Sequence, residues 1–169
     1  MPESASHERL LPCLLDRLTD DLPDSRQESR DSRTVSLQRY REAVIRDLSW
    51  LLNTNAPRPD EDGLAEFDHV LRSVLNYGVR DVCGTTASSV NPEDVQRDVL
   101  KALHTFEPRL LRRSLAVTVA VRLEAMGNTA LTFEIRGELW AKPISEALYV
   151  KTAIDLETGQ WEIKDRPNG

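Results

Sequence analysis

The chain has little cysteine, few aromatic residues, few histidines and no long apolar run. Its two cysteines, Cys13 and Cys83, lie far apart in 169 residues and match no metal-ligand spacing, so free thiols are expected. His7, His69 and His104 share no metal-ligand spacing either, and are read as surface or satisfied side chains. No glycine-rich phosphate loop appears, and Ser73 and Ser114 sit in no nucleophile motif. No cofactor is therefore expected. The apolar segments fall well short of membrane-spanning length, which argues against membrane insertion. Met-Pro-Glu-Ser opens the chain without a basic segment leading into an apolar run, so a cytoplasmic protein is expected. A formal net charge of −6 argues against general affinity for nucleic acid or anionic lipid.

What is present is ordinary for a well-charged globular domain: 40% hydrophobic residues beside 30% charged. Residues 1–22 read as an N-terminal helical arm, with Leu10, Leu11, Leu14, Leu15, Leu18 and Leu22 on one helix face. That face must dock on the main domain or on another protein. Residues 23–36 mix charge with serine and proline and read as a linker. The main domain is expected over residues 37–164, with a short tail at 165–169.

Ser36 suits the N-cap of a helix running to about Asn53, whose buried stripe is Leu37, Tyr40, Val44, Leu48, Leu51 and Leu52. Pro57 to Gly63 reads as loop. From Leu64 to Leu75 the residues Leu64, Phe67, Val70, Leu71 and Val74 fit helical spacing for part of the way. Asn91 is a strong N-cap, Pro92 fits the first helical position, and Glu93 and Asp94 favour the positive end of the helix dipole. Val95, Val99, Ala102, Leu103 and Phe106 complete that helix's stripe. The period then drops to two. Leu115, Val117, Val119, Val121 and Leu123 alternate with polar or small residues, and after a turn at Met126 to Thr129 so do Leu131, Phe133, Ile135 and Leu139. A linker around Pro143 leads to Leu148, Val150, Thr152, Ile154 and Leu156, and Glu157-Thr158-Gly159 turns into a last strand with Trp161 and Ile163. The order predicts an α+β fold, with N-terminal helices packed on one face of a four-stranded antiparallel sheet.

Glu107-Pro108-Arg109 marks the seam between the two periodicities. Pro108 ends the helix and biases Glu107 towards extended backbone, where Glu107 and Arg109 would share a face. A carboxylate at a helix C-terminus meets the negative end of the dipole and needs a cation. Arg109, Arg112 and Arg113 form a small basic cluster beside it, which in an acidic chain reads as a salt-bridged rim or a protein-contact patch. Trp50 lies off its helix stripe and Trp140 on the outer register of its strand, placements that protein interfaces favour. Glycoside hydrolysis would need a second carboxylate and a protonated acid. Local spacing supplies no second carboxylate, and an arginine neighbour favours the ionised form.

Four blocks together resemble the TssE family: Arg46-Asp47-Leu48-Ser49-Trp50-Leu51-Leu52-Asn53-Thr54, Ser73-Val74-Leu75-Asn76-Tyr77-Gly78, Phe106-Glu107-Pro108-Arg109-Leu110, and Phe133 to Leu139 ending in Gly137-Glu138-Leu139. Leu14 to Leu18 is also similar to that family's opening segment, and the likeness runs from about residue 10 to 164. Those proteins are type VI secretion baseplate subunits, similar to the sheath-initiator wedge protein of contractile-tailed phages. The resemblance implies a structural protein that assembles with subunits of the TssF, TssG and TssK families. It also implies contact with TssB and TssC sheath subunits through Glu107 and Arg109, beside Arg112 and Arg113. The label "lysozyme-like" carried by the family implies the alternative, a muramidase using Glu107.

Overall fold

The computed structural model describes residues 10–19, 23–24, 34–57, 63, 66–85, 89–125, 128–141 and 145–165. Helices α1 (Leu14–Leu18), α2 (Leu37–Leu52), α3 (Asp68–Leu71) and α4 (Pro92–Phe106) precede strands β1 (Ala116–Ala125), β2 (Asn128–Leu139), β3 (Glu146–Asp155) and β4 (Trp161–Asp165). The strands form one antiparallel meander in the order β1-β2-β3-β4. Both long helices start where the sequence says they should. Ser36 Oγ accepts the Arg39 amide at 3.2 Å, and Asn91 Oδ1 accepts the Glu93 amide at 3.0 Å, each satisfying a donor the helix itself leaves free.

Tyr40, Val44, Leu48, Leu51 and Leu52 of α2 and Val95, Val99, Ala102 and Leu103 of α4 are buried. They meet one face of the sheet, where Val117, Leu131, Phe133, Ile135, Leu139, Leu148, Val150 and Ile154 are almost wholly enclosed. Thr152 joins that row as a buried polar residue, its hydroxyl donating to the Glu162 carbonyl at 3.0 Å. The expected α+β architecture is the one found. Apolar side chains at period 3.6 and at period 2 each make a single sticky surface, and the two cover each other.

Three local features differ from the sequence reading. The arm's helix is only five residues long and buries none of them; Leu11, Leu14, Leu15 and Leu18 are exposed. Leu10 is buried instead, in a single antiparallel bridge to Val35, so backbone pairing rather than helical spacing places it. Between Leu64 and Leu75 a single turn, α3, is followed by a 3-10 turn at Val74–Asn76, and Phe67, Val74 and Leu75 face solvent. In β1 the register slips at Ala120: Val119 pairs with Phe133, but Val121 pairs with Thr132 and Arg122 with Leu131. A bulge of this kind shifts the two-residue alternation by one, so Val121 and Leu123 leave the register of Val117 and Val119. Leu22, Leu64, Met126, Gly127 and Pro143, the linker at 25–33 and the tail at 166–169 lie outside the described residues.

The segment after α2 is tied to the rest by backbone and side chain. Asn55 and Val79 form a parallel bridge, with the Ala56 and Val79 amides donating at 2.9 Å each. Asn53 completes the tie: its side-chain Nδ2 donates to the Trp161 carbonyl at 3.0 Å while Oδ1 accepts the Trp161 amide at 2.9 Å. Gly78 sits against Thr54 at φ 124, and a Cβ there would collide with the Thr54 carbonyl. Gly78→Ala should therefore cost about 2 kcal/mol or more in urea unfolding, from strain and overlap together. Gly137→Ala, where a Cβ would meet only side chains and Leu115 Cα at 3.4 Å or beyond, should cost distinctly less.

Candidate functional site

Helix α4 ends where Pro108 requires it to, with the Glu107 amide still donating to the Leu103 carbonyl at 3.0 Å. The chain then turns rather than running straight, and the Leu110 amide reaches back to the Glu107 carbonyl at 3.3 Å. Leu110 pairs with Leu139 and the Trp140 amide donates to the Arg109 carbonyl at 2.7 Å, so the corner is clamped to the end of β2. Ser114 adds to this clamp by accepting the Glu138 amide at 2.8 Å.

Glu107 is only 4% exposed. Arg109 meets it as a fork: Nε donates to Oε1 at 2.7 Å and Nη2 to Oε2 at 2.5 Å, while the Arg109 amide also reaches Oε1 at 3.1 Å. The expected pairing of the two charges is present, made across a turn and not along a strand. Nη2 also donates to Asp47 Oδ2 on α2 at 2.7 Å. Asp47 Oδ1 in turn accepts Nε and Nη2 of Arg46 at 2.9 and 2.8 Å, and Arg46 Nη1 donates to Asp16 Oδ1 on α1 at 2.5 Å. The result is one alternating chain of charge, Glu107–Arg109–Asp47–Arg46–Asp16, linking three helices. Arg46 also lies 5.0 Å from the centroid of the exposed Trp50 ring.

This geometry fixes the charge states of the cations. Burial opposes the charge on Arg109, but hydrogen bonding and attraction from Glu107, then from Asp47, outweigh it and raise its pKa above the ordinary arginine value. The Arg46 pKa is raised as well, chiefly by the hydrogen bond to Asp16. Asp16 is held below its ordinary value, first by the hydrogen bond from Arg46 and against a smaller opposing effect of burial. Tyr40 and Tyr77, beside the same charges, have raised pKa values mainly because they are buried from water.

Of the four residues singled out in the sequence, the structure brings Glu107 and Arg109 into one contact. Arg112 is exposed and its Nη2 donates to the His104 carbonyl at 2.8 Å, satisfying an acceptor at the C-terminus of α4. Arg113 is also exposed on the same turn. Sequence reasoning missed Asp47, Arg46 and Asp16 as partners, since they stand 62 and more residues from Arg109 and no local spacing links them. A cleft of about 620 Å³ lies elsewhere, between the loop around residues 76–85 and α4. Arg80 and Asp98 pair there at 2.9 Å. No group of three metal-binding side chains occurs among the described residues, and no helix there is long and apolar enough to cross a membrane.

Two outcomes follow from the charge chain. Arg109→Met should destabilise the fold by about 3–5 kcal/mol in denaturant unfolding, because it strands the Glu107 carboxylate in the interior. Glu107→Gln should cost less, since Arg109 keeps Asp47. Because the Asp16 pKa is lowered in the fold, its ion pair contributes above the unfolded aspartate value and is lost as pH falls through the folded one. Arg46→Met should move the Asp16 titration, followed by carboxyl NMR, back up towards the ordinary range.

Comparison with curated proteins finds no match, and comparison with solved structures finds none. A family model described as baseplate wedge protein gp25 matches residues 38–144, which takes in α2, α4, the Glu107–Arg109 corner and strands β1 and β2. That is well over half of the chain, and it is the family of phage and type VI baseplate proteins to which the four sequence blocks pointed. The chain belongs to the baseplate wedge protein gp25 family.

Proposed function

We propose that the chain is a non-enzymatic subunit of a type VI secretion baseplate, cytoplasmic, which helps to assemble the wedge and to start polymerisation of the contractile sheath. The observation that carries this reading is the corner at residues 107–113 inside the matched region: a buried, doubly held acid–base pair that sets the direction of a short turn bearing exposed arginines. Glu107 and Arg109 act from within, by setting the direction of the turn, and the exposed Arg112 and Arg113 face the partner. Sheath subunits of the TssB and TssC families are the partners for this corner. Subunits of the TssF, TssG and TssK families take other surfaces, with the exposed Trp50 and Trp140 as candidate anchors.

No geometric observation favours the muramidase alternative. A general acid must reach the glycosidic oxygen. Glu107 is enclosed, and both of its oxygens accept hydrogen bonds from Arg109. The second carboxylate of the corner, Asp47, is separated from it by the same guanidinium.

The double substitution Arg112→Glu with Arg113→Glu leaves the buried pair untouched and should retain the fold. It should weaken capture of purified sheath subunits by about ten-fold or more, since reversing rim charges turns attraction into repulsion. Unchanged capture by that folded variant would overturn the assignment of this face. Recovery of the tagged protein from its native host with neither baseplate nor sheath subunits would overturn the assignment of function.

A further inference from the structure

Residues 10–19 are held to the domain in an unusual way. The bridge at one end consists of Leu10 and Val35, with the Val35 amide donating to the Leu10 carbonyl at 3.0 Å. At the other end, Asp16 is bound to Arg46 at 2.5 Å, and the Cys13 thiol donates to Asp16 Oδ2 at 2.9 Å. Between these two points α1 buries no residue, and its leucines point outward. Along it runs a cleft of about 430 Å³, half open to solvent, bounded by Pro12, Asp16 and Thr19 on one side and by Tyr40, Ala43 and Arg46 of α2 on the other. A segment that packs its apolar face would have filled that space. This one borders it.

The two halves of the ionic contact are not equivalent. Arg46 is fixed independently of the arm, by the doubled hydrogen bond to Asp47 and by its place over Trp50. Among the described residues, Asp16 has one other side-chain partner, the Cys13 thiol of the same segment, and that sulfur in turn lies 3.6 Å from Arg46 Nη2. Losing the contact therefore leaves the receptor side in place and frees the arm. We propose that residues 10–19 are a strap that lifts from α2 as a unit, latched by Asp16 on a pre-set Arg46, and that lifting bares the α2 wall of the cleft while the sheet stays folded. Such local opening is how a segment behaves when it buries a single apolar side chain, here Leu10, and is otherwise held by polar contacts to one arginine. An ionic latch of partly exposed groups also responds to salt, because screening weakens it while leaving the apolar core alone.

The test reads an amide that Asp16 does not touch. Hydrogen exchange at the Val35 amide reports closure of the strap, and amides between β2 and β3 report global stability. In full-length Asp16→Asn, Val35 should exchange about three- to five-fold faster than in the wild type, the worth of a partly exposed ion pair, with sheet amides unchanged. Asp16→Glu should recover most of the protection. Raising sodium chloride from low to molar concentration should speed Val35 exchange in the wild type and do little in Asp16→Asn. An unchanged Val35 rate in Asp16→Asn would overturn the latch. Equal acceleration of Val35 and the sheet amides would overturn the strap as an independent unit.

Discussion

Glu107 must remain charged in a place without water, and the corner is arranged around that requirement. An enclosed carboxylate is tolerable only with a partner of matching geometry, and the arginine fork two residues along supplies both hydrogen bonds. Pro108 makes the fork possible by ending α4 and forcing the turn. The turn brings Leu110 against Leu139 and so fixes where β1 begins relative to β2. Asp47 then fastens the same guanidinium to α2, so one buried charge sets the relation of the two long helices and the sheet.

This arrangement separates two jobs within one motif. The acid supports the turn from inside, and the exposed arginines of that turn present charge outside. A surface turn of seven residues would ordinarily be among the more mobile parts of a domain. Here it is held by a hydrogen-bonded ion pair, a backbone bridge and the Ser114 clamp, so the turn is ordered without any outside contact.

Much of the fold was legible because its signals are local. Ser36, Asn91 and Pro92 announce helix starts through interactions within three residues. The alternation of Phe133 with its neighbours announces a half-buried strand in the same way. The pairing of Glu107 with Arg109 was legible for this reason too. Asp47, Arg46 and Asp16 were not, because their link to Arg109 exists only after α1, α2 and the corner converge. The bulge at Ala120 was equally hidden, since Val121 and Leu123 continue the written alternation while the backbone register slips beneath it. In the arm, leucine spacing suggested a longer helix seeking cover, but a single bridge to Val35 took Leu10, and Leu11, Leu14, Leu15 and Leu18 stay outside.

Asn53 has a consequence for the shape of the sheet. Its side-chain amide gives one hydrogen bond to Trp161 and takes one from it, the pair of bonds a residue of a neighbouring strand would make. A side chain from the end of a helix thus imitates one residue of a fifth strand at the start of β4. Any strand joining the sheet there must first evict it, giving up two hydrogen bonds worth about 1 kcal/mol each. The meander is therefore stoppered at that point of its β4 edge, a defence of an open edge made from a single amide and not from a charge or a proline.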